Sequence, residues 1–465
     1  MFMKRVFYIC TAGIFLFSSF SSKKSIDSLK QSEIKPNVVI IFLDDSGYSD
    51  FSPFQGAHQP TPYVTQLAKE GTTFTNFHVP QAVCSASRAA LLTGCYPGRT
   101  KVFGAHPPRA IGLDPQFATL AQQLKKGGYS TGWFGKWHVG DTAETRPDKR
   151  GFDVTAGLMY SDDMWNHHPV DPDFWGKYPL QYWENGKIII QDVDSVQQKS
   201  LTKWSTNYTL NFIEEHKQEP FFLYLAYSMP HVPIFCSDEF EGKSGKGLYG
   251  DVIMELDHSI GLIDQKLKDL GLNNNSLVVF SSDNGPWTGF GNHAGKTPFR
   301  ELKATSFDGG LRTQLIIKYP GVIPPNRESN KFLYSIDLMP TIYDLTNSPL
   351  PEYELDGENV LEMLKGDANA VYKRDYHAFS NGKQFEGVFS KHGNWKLHLA
   401  HDYRHVEKHG NDGTPGSYIY KKIGVSLFDM KNDPYETIDV KEKYPELVDK
   451  LTQYSELHKD TFFKE

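Results

Sequence analysis

Residues 38–45 read VVIIFLDD, an unbroken apolar run that ends in two adjacent aspartates. Apolar runs at residues 131–134, 221–227 and 276–281 are likewise followed by polar or charged groups. Runs of this length are typical of strands that are buried on both faces of a mostly parallel sheet. Because ligands bind beyond the carboxyl ends of such strands, we expect the polar groups that follow the four runs to share one pocket.

Helical patterns lie between these runs. A helix is predicted to start at Asp114 and Pro115 and to end at Gly127, and a second is predicted over about residues 249–270, where apolar residues recur at helical spacing. Strands that alternate with helices predict an α/β fold with a large, mostly parallel or mixed central sheet flanked by helices.

The chain changes character after about residue 375. Strand-like pieces lie near residues 387–390, 395–400 and 425–429. A Gly-rich stretch precedes the third piece, and a terminal helix is predicted from about Tyr444. We therefore expect a main domain over residues 36–375 and a smaller C-terminal α+β subdomain over residues 376–465, which contains a short antiparallel sheet.

The N-terminus has the pattern of a signal peptide. Lys4 and Arg5 precede an apolar stretch over residues 6–17, and small residues follow it. The stretch is shorter than the roughly 20 residues that a membrane span needs, and no lipoprotein-like cysteine follows it. We expect a signal peptide over residues 1–22 and a secreted or periplasmic protein without a stable membrane anchor; a buried N-terminal helix is the alternative.

Charge and cysteine content narrow the class of protein. The 465 residues carry a formal net charge of -7, and Lys and Arg are dispersed along the chain, which argues against nucleic-acid binding. Any anion must therefore be bound locally. Cys10 falls in the predicted signal peptide, so Cys84, Cys95 and Cys236 remain. An odd number of cysteines in an exported chain indicates that one of them could have a role other than disulfide formation, although free buried cysteines are common.

The segment that begins at Cys84 reads CSASR and continues AALLTG. It resembles the maturation motif C-x-[P/A]-x-R of the sulfatases, in the branch that contains arylsulfatase A and the N-acetylgalactosamine sulfatases. The resemblance implies an alkaline-phosphatase-like fold and a maturation enzyme that converts Cys84 to formylglycine. One hydroxyl of the hydrated aldehyde would attack sulfur, and the other would expel sulfate by restoring the aldehyde. The alternative is a buried structural cysteine.

The same resemblance implies a metal site. Its ligands are Asp44, Asp45, Asp283 and Asn284, together with the converted Cys84. Hard oxygen ligands favour calcium or magnesium, and the flexible coordination of calcium leaves room for formylglycine and sulfate oxygens. We therefore expect one calcium ion per chain rather than magnesium. Taken separately, either acidic pair could instead be a helix cap or a turn.

Three further positions match family residues that surround the nucleophile. By resemblance, Arg88 holds the diol and the adjacent carboxylates with its fixed donors. Lys136 and His138 lie in GKWHVG, which is similar to the family's G-K-W-H-x-G segment. Lys136 is expected to support the nucleophile or the sulfate, and His138 is expected to deprotonate the diol and drive sulfate release.

Other matches concern the substrate. His231 and Lys303 match family residues that can offset charge on the ester oxygen, with His231 the first choice as general acid and Lys303 the second. Asp283 could accept the proton of the nucleophile, and Ser161 matches a serine that touches sulfate. Loop residues could form a rim that faces a sugar or could pack onto the domain: Asp163, Trp165, His167, His168, Trp175 and Tyr182.

These residues predict a sulfatase that hydrolyses sulfate monoesters, on a sulfated sugar or polysaccharide fragment, to an alcohol and inorganic sulfate. Two alternatives stay open: a phosphodiesterase or phosphonate hydrolase of the same superfamily, and a non-catalytic protein that binds sulfated glycans. The combination of Lys136, His138, His231 and Lys303 favours sulfate. The sugar and the sulfated position depend on loops whose shape the sequence does not determine.

Overall fold

The computed structural model describes Met1, residues 35–168 and residues 170–464. The predicted signal peptide lies outside the described residues, apart from Met1. From Pro36 onward the chain forms one compact unit. A helix with the length and apolar character needed to cross a membrane is absent from the described part of the chain.

The core of this unit is a mixed sheet in which eleven strands are described. Ten strands follow the order β10-β2-β9-β8-β1-β7-β3-β4-β5-β6, and the eleventh, β11, also pairs with β2. The strands in chain order are β1 (Asn37–Leu43), β2 (Thr72–His78), β3 (Ser130–Lys136), β4 (Val154–Leu158), β5 (Tyr182–Glu184), β6 (Lys187–Ile190), β7 (Phe221–Ala226), β8 (Ser276–Ser282), β9 (Arg312–Lys318), β10 (Arg327–Ser329) and β11 (Leu333–Tyr334). This architecture confirms the expected mostly parallel, mixed sheet.

The four apolar runs in the sequence form the middle of the sheet. Strands β8, β1, β7 and β3 are adjacent and mutually parallel. Every residue of β1, β7 and β8 is buried, which explains why their sequences show no alternation of polar and apolar side chains. Because parallel strands point the same way, the polar residues that follow all four strands emerge at one edge.

Helices flank the sheet. The helices of the main part are Pro62–Glu70, Cys84–Thr93, Pro97–Thr100, Leu120–Lys126, Pro172–Trp175, Ser195–Gln198, Leu201–Glu215, Gly247–Asp269, Asp308–Leu311, Leu338–Thr346 and Leu361–Lys365. Short 3₁₀ helices lie at Pro147–Lys149, Asn273–Asn275, Thr288–His293 and Ser335–Asp337. The predicted helix over residues 249–270 is confirmed as Gly247–Asp269, and its apolar stripe, which includes Leu256 and Ile260, is buried.

The predicted helix start at Asp114 and Pro115 is wrong. The helix begins at Leu120, because Thr119 forms a capping box with Gln122: each side chain bonds to the backbone N–H of the other residue. Asp114 instead closes a turn, in which its carbonyl accepts from the N–H of Phe117 at 3.0 Å. Both residues are good N-cap types, and only the path of the chain separates them.

The C-terminal region contains two small antiparallel sheets and the helix Pro445–Phe462, which follows a 3₁₀ turn at Lys441–Lys443. One sheet has the order β12-β13-β14-β17, with β12 (Tyr376–Asn381), β13 (Gln384–Ser390), β14 (Trp395–His398) and β17 (Ser426–Asp429). The other is a hairpin of β15 (His401–Lys408) and β16 (Ser417–Ile423). This hairpin stands in the region that the sequence marked only as Gly-rich, and the glycines lie in its tip, residues 409–416.

Candidate active site

Two acidic pairs meet at the carboxyl edge of the sheet. Leu43 of β1 and Ser282 of β8 are in register, so Asp44 and Asp45 emerge beside Asp283 and Asn284. Asp45 adopts a positive φ of 60°, and its N–H donates to Oδ1 of Asp283 at 3.1 Å. The amide of Asn284 donates to Oδ1 of Asp45 at 2.7 Å. Oδ1 of Asn284 is buried and has no hydrogen-bond partner among the described residues.

Cys84 begins the helix Cys84–Thr93 and faces these carboxylates. Its Sγ lies 3.5 Å from Oδ1 of Asp44, and the residue is 1% exposed. Burial and the charge of Asp44 raise the pKa of the Cys84 thiol well above its ordinary value. The unmodified side chain is therefore a protonated thiol, which is a poor nucleophile.

Arg88 lies one helical turn after Cys84 and joins the two acidic pairs. Its Nε donates to Oδ2 of Asp283 at 3.0 Å, and its Nη2 lies 2.9 Å from the same oxygen and 3.4 Å from Oδ2 of Asp44. Its Nη1 donates to the carbonyl oxygen of Lys136 at 2.9 Å. Burial disfavours the charge of Arg88, but Asp283 and Asp44 raise its pKa above the ordinary value. Arg88 is therefore a fixed cation beneath the site.

Lys136 ends β3 and reaches the same point. Its Nζ forms an ion pair with Asp44 and donates to Oγ of Ser161 at 3.0 Å. Burial disfavours both charges of the ion pair. Even so, the pKa of Lys136 is raised by Asp44, and the pKa of Asp44 is held well below its ordinary value by Lys136 and Arg88. Lys136 therefore stays charged inside the pocket.

His138 lies two residues after Lys136 at a positive φ of 61°. Its Nε2 is 3.0 Å from the carbonyl oxygen of His106, which can only accept, so we assign the ring proton to Nε2. Nδ1 is buried without a partner among the described residues. Burial and the charge of Lys136 lower the pKa of His138 well below its ordinary value, so the ring is neutral and Nδ1 can accept a proton.

His231 and Lys303 approach from the opposite side. Nε2 of His231 lies 3.5 Å from Oδ2 of Asp45, and Nζ of Lys303 donates to the same oxygen at 2.7 Å. The N–H of Lys303 also donates to the carbonyl oxygen of Pro286, which ties this loop to the segment after β8. Burial and Lys303 act to lower the pKa of His231, but Asp45 and Asp44 raise it, and the pKa lies above the ordinary value.

The structure thus gathers all eleven predicted site residues at one edge of the sheet. Ligand atoms of Asp44, Asp45, Cys84 and His231 lie within 4.8 Å of one another. The carboxylates, together with the unpartnered amide oxygen of Asn284, form a set of hard donors that suits a metal ion. The cations that surround them are Arg88, Lys136 and Lys303.

Sequence reasoning missed two neighbours of His231. Oδ1 of Asp162 lies 3.4 Å from Nδ1 of His231, and burial raises the pKa of Asp162 to about 6. The ring of Trp287 lies 5.9 Å from the ring of His231 and 4.8 Å from Nζ of Lys303. The sequence indicates these two residues only by their closeness to predicted site residues. Asp162 directly follows Ser161, and Trp287 lies three residues after Asn284.

The proposed sugar-facing rim includes residues that belong to the core. Tyr182 is a β5 residue with 2% exposure and packs edge-on against Trp204, and Trp165 is 3% exposed. For Tyr182 and Trp165, and for Asp163 at 8% exposure, the structure favours the alternative that they pack onto the domain. His167 is exposed and His168 and Trp175 are half-buried, so these three lie where a rim could form.

A buried pocket in which cations and carboxylates surround one point suits the hydrolysis of an anionic ester. Residues 36–348 match the Sulfatase family, and residues 302–409 match the family described as N-sulphoglucosamine sulphohydrolase, C-terminal. The chain belongs to the sulfatase family and is a sulfuric ester hydrolase.

Relatives support this assignment over most of the chain. Arylsulfatase A of Bos taurus is 31% identical over 439 residues, covering 90% of this chain and 86% of the relative. The N-acetylgalactosamine-6-O-sulfatase of Bacteroides thetaiotaomicron is 30% identical over 510 residues, covering 96% and 97%. The crystal structure of the PsFucS1 sulfatase from Pseudoalteromonas sp. has a TM-score of 0.82 at 24% identity, covers 94% of this chain and 93% of that one, and shares the fold.

Proposed function

We propose that this sulfatase hydrolyses a sulfate monoester of a sugar or polysaccharide fragment, using a formylglycine made from Cys84 and a calcium ion. The observation that carries the proposal is the position of Cys84, whose Sγ lies 3.5 Å from Asp44 where Arg88 and Lys136 also converge. The similarity to the N-acetylgalactosamine-6-O-sulfatase of Bacteroides thetaiotaomicron, over 96% of this chain, supports a sulfated sugar as the substrate.

The state of Cys84 supports the need for conversion. A buried thiol beside Asp44 holds its proton, because burial and that carboxylate raise its pKa. A formylglycine at this position would supply a hydrated aldehyde with one hydroxyl for attack on sulfur and one for the release of sulfate. Arg88, fixed by Asp283 and the carbonyl of Lys136, holds the base of the pocket in place for that reaction.

The donor set supports calcium rather than a softer metal. Asp44, Asp45 and Asp283 offer carboxylate oxygens, and Asn284 offers a buried amide oxygen without a partner among the described residues. Three cations, Arg88, Lys136 and Lys303, already contact these carboxylates, so the protein alone leaves little net positive charge for an anionic substrate. Calcium would supply the missing charge and accept hard oxygen ligands in flexible geometry.

The remaining side chains divide into two sets. Lys136 and Ser161, joined at 3.0 Å, would bind sulfate oxygens, and the free Nδ1 of His138 would take the proton whose loss drives sulfate release. On the opposite side, His231 would protonate the leaving oxygen, with Lys303 as the second candidate. His231 is suited to this role because its Nδ1 bonds to the carbonyl oxygen of Val232, which orients the ring, while its Nε2 lies 3.5 Å from Asp45 and faces the site.

The first test is the intact mass of the peptide that contains Cys84, from protein purified from its natural host. We expect conversion to formylglycine and hydrolysis of 4-nitrophenyl sulfate. The Cys84→Ala variant should lose turnover while it keeps the thermal unfolding curve of the wild type, whereas Cys236→Ala, which removes another buried free cysteine, should keep turnover. Full activity of Cys84→Ala would exclude the nucleophile.

The same assay separates the alternatives. Sulfate and phosphate esters are compared side by side on converted protein. Dominant turnover of a phosphodiester or phosphonate would replace the sulfatase proposal, and binding of sulfated glycans without sulfate release would favour a non-catalytic protein. A screen of sulfated sugars then identifies the sugar and the position.

We also propose export to the periplasm or the medium and a subdomain boundary near residue 375. The basic and apolar pattern of residues 4–17 supports export. The separate four-stranded antiparallel sheet that starts at Tyr376 supports the boundary. Cell fractionation with N-terminal sequencing tests the first proposal, with a mature N-terminus near residue 23 expected, and limited proteolysis tests the second.

A further inference from the structure

The β15–β16 hairpin is fastened beside the candidate active site. The N–H groups of Gly410 and Gly416 both donate to the carbonyl oxygen of Gly289, at 2.8 and 2.9 Å. Asn292 and Asp412 exchange two further hydrogen bonds of 2.8 Å. The tip of the hairpin is therefore held on residues 288–293, which follow shortly after the Asp283 and Asn284 pair.

The base of the hairpin is held on the loop that carries Lys303. Nδ1 of His405 lies 3.0 Å from the carboxylate of Glu301, and Nη2 of Arg404 lies 3.4 Å from the carbonyl oxygen of Lys303. The β15–β16 hairpin, which begins about one hundred residues after Lys303, thus forms one wall of the space beside Lys303. Side chains of this hairpin therefore lie beside the loop that carries Lys303.

Arg404 of this hairpin has donors that are not used by the described residues. Its guanidinium lies between two aromatic rings, with Cζ 5.6 Å from the centre of Trp287 and 4.8 Å from the centre of Tyr418. No carboxylate pairs with it among the described residues, and its Nε is buried without a partner there. Its Nη2 donates to the carbonyl oxygen of Lys303 only at the long distance of 3.4 Å, whereas Arg300, another arginine stacked on aromatic rings, donates to a backbone carbonyl at 2.7 Å.

Trp287 connects Arg404 to the reacting centre. Nζ of Lys303 lies 4.8 Å from the centre of the same ring, and the ring of His231 lies 5.9 Å away. The ammonium group of Lys303 is paired with the carboxylate of Asp45, whereas Arg404 has no carboxylate partner among the residues described. Arg404 is therefore a further cation, one aromatic ring away from the groups assigned to the sulfate ester.

We propose that Arg404 binds a second anionic group of the substrate, either a carboxylate or a second sulfate ester on the same saccharide. A guanidinium offers a planar fork of donors that matches both groups, and flanking aromatic rings hold that fork in one orientation. The preferred substrates are then doubly charged saccharides. This inference rests on the sulfatase function proposed above and adds a specificity determinant from the C-terminal region.

The experiment compares three sugars: N-acetylgalactosamine 6-sulfate, N-acetylgalactosamine 4,6-disulfate, and a disaccharide of glucuronic acid and N-acetylgalactosamine 6-sulfate. The quantity measured is the ratio of kcat/KM for each doubly charged sugar to kcat/KM for the singly charged one. In Arg404→Gln we expect this ratio to fall about tenfold or more, mainly through KM, because a charge-assisted hydrogen bond is lost. A fall with the disulfate identifies a sulfate site, and a fall with the disaccharide identifies a carboxylate site.

Two further variants keep the result interpretable. Arg404→Lys preserves the charge without the planar fork and should lower the ratio less than Arg404→Gln does. Lys421→Gln removes an exposed cation from the same hairpin and should leave the ratio unchanged. A structural role for Arg404 would lower kcat/KM for all sugars by the same factor, and that result would overturn the inference.

Hydrolysis of 4-nitrophenyl sulfate by the wild type separates the two levels of the proposal. If this ester is hydrolysed but the wild type shows no preference for a doubly charged sugar, the Arg404 inference is wrong and the proposed function stands. If converted protein hydrolyses no sulfate ester at all, the proposed function fails and the inference fails with it.

Discussion

The amide nitrogen of Asn284 donates to Oδ1 of Asp45 at 2.7 Å, across 239 positions of sequence. The amide oxygen of Asn284 is buried and has no hydrogen-bond partner among the described residues. An unsatisfied buried polar group costs about 1–3 kcal/mol. A hard cation bound by this oxygen and the neighbouring carboxylates would remove that cost, which links the stability of the site to metal binding.

Asn284→Ala should abolish stabilisation by calcium. In the wild type, calcium at about 100 times its Kd should raise the free energy of unfolding by about 2.7 kcal/mol, because the ion binds the folded state. Thermal unfolding with increasing calcium measures the effect. Asn274→Ala, at an exposed asparagine, serves as the control and should behave like the wild type. An equal calcium response in Asn284→Ala would remove this residue from the metal site.

His138→Ala should separate the release of the alcohol from the release of sulfate. With 4-nitrophenyl sulfate we expect a burst of about one 4-nitrophenol per active site, followed by a steady rate that is about 10²–10⁴-fold below that of the wild type. The reason is that Nδ1 of His138 is the free acceptor for the later proton transfer. His231→Ala should be slow without a burst, because it lacks the acid for the first step. Stopped-flow absorbance distinguishes them, and a burst in His231→Ala alone would reverse the two roles.

Lys396→Met should strongly destabilise the fold. Lys396 is fully buried and pairs with Asp308 at 2.9 Å and with Glu436 at 2.8 Å. Its loss leaves Glu436 without a charged lysine or arginine partner among the described residues, and the pair that Asp308 keeps with Arg312 is longer, at 3.7 Å. We expect a cost of about 3–5 kcal/mol in urea unfolding. The matched change Lys365→Met breaks an exposed pair with Glu362 and should cost less than about 1 kcal/mol. Similar midpoints for the two variants would contradict a structural role for the buried network.

His458→Phe should reduce the sensitivity of the fold to acid. Burial, with a smaller contribution from Arg99, lowers the pKa of His458 to about 3 from the ordinary 6.5. Between pH 6.5 and pH 3, His458 binds a proton in the unfolded chain but stays neutral in the folded chain. Its contribution to the free energy of unfolding is therefore complete above pH 6.5 and falls as the pH drops toward 3. Below pH 6.5 the free energy of unfolding falls by about 1.4 kcal/mol per pH unit, which amounts to about 2 kcal/mol at pH 5.

Urea unfolding of the wild type and His458→Phe at pH 7.5 and pH 5 measures this difference. Phenylalanine suits the site because Phe385 and Phe462 already pack against the ring. His167→Phe, at an exposed histidine, should leave the pH dependence of the wild type unchanged. If His458→Phe lost as much stability as the wild type at pH 5, burial of a neutral His458 would not be the source of acid sensitivity.

Much of the fold could be predicted because complete burial leaves a local trace. A strand such as β1, buried on both faces, must be apolar throughout, and the polar residues that follow it must lie at the sheet edge. The β15–β16 hairpin left no such trace, because its strands are partly exposed and mostly polar. The sequence predicts a start at Asp114 for the helix that begins at Leu120, because Asp114 and Thr119 are equally good caps by residue type.

The sequence by itself determined the class of the protein, because the features that identify it are local patterns of neighbouring residues. These features are the CSASR segment at Cys84, the polar residues that end four apolar runs, and the order of strands and helices. Only the tertiary structure decided which distant groups touch. The partner of Asn284, the contact of Asp162 with His231 and the position of Arg404 beside Trp287 depend on strand register and loop paths. Such contacts join residues tens to hundreds of positions apart, and no local pattern encodes them, because packing of the whole chain sets their distances.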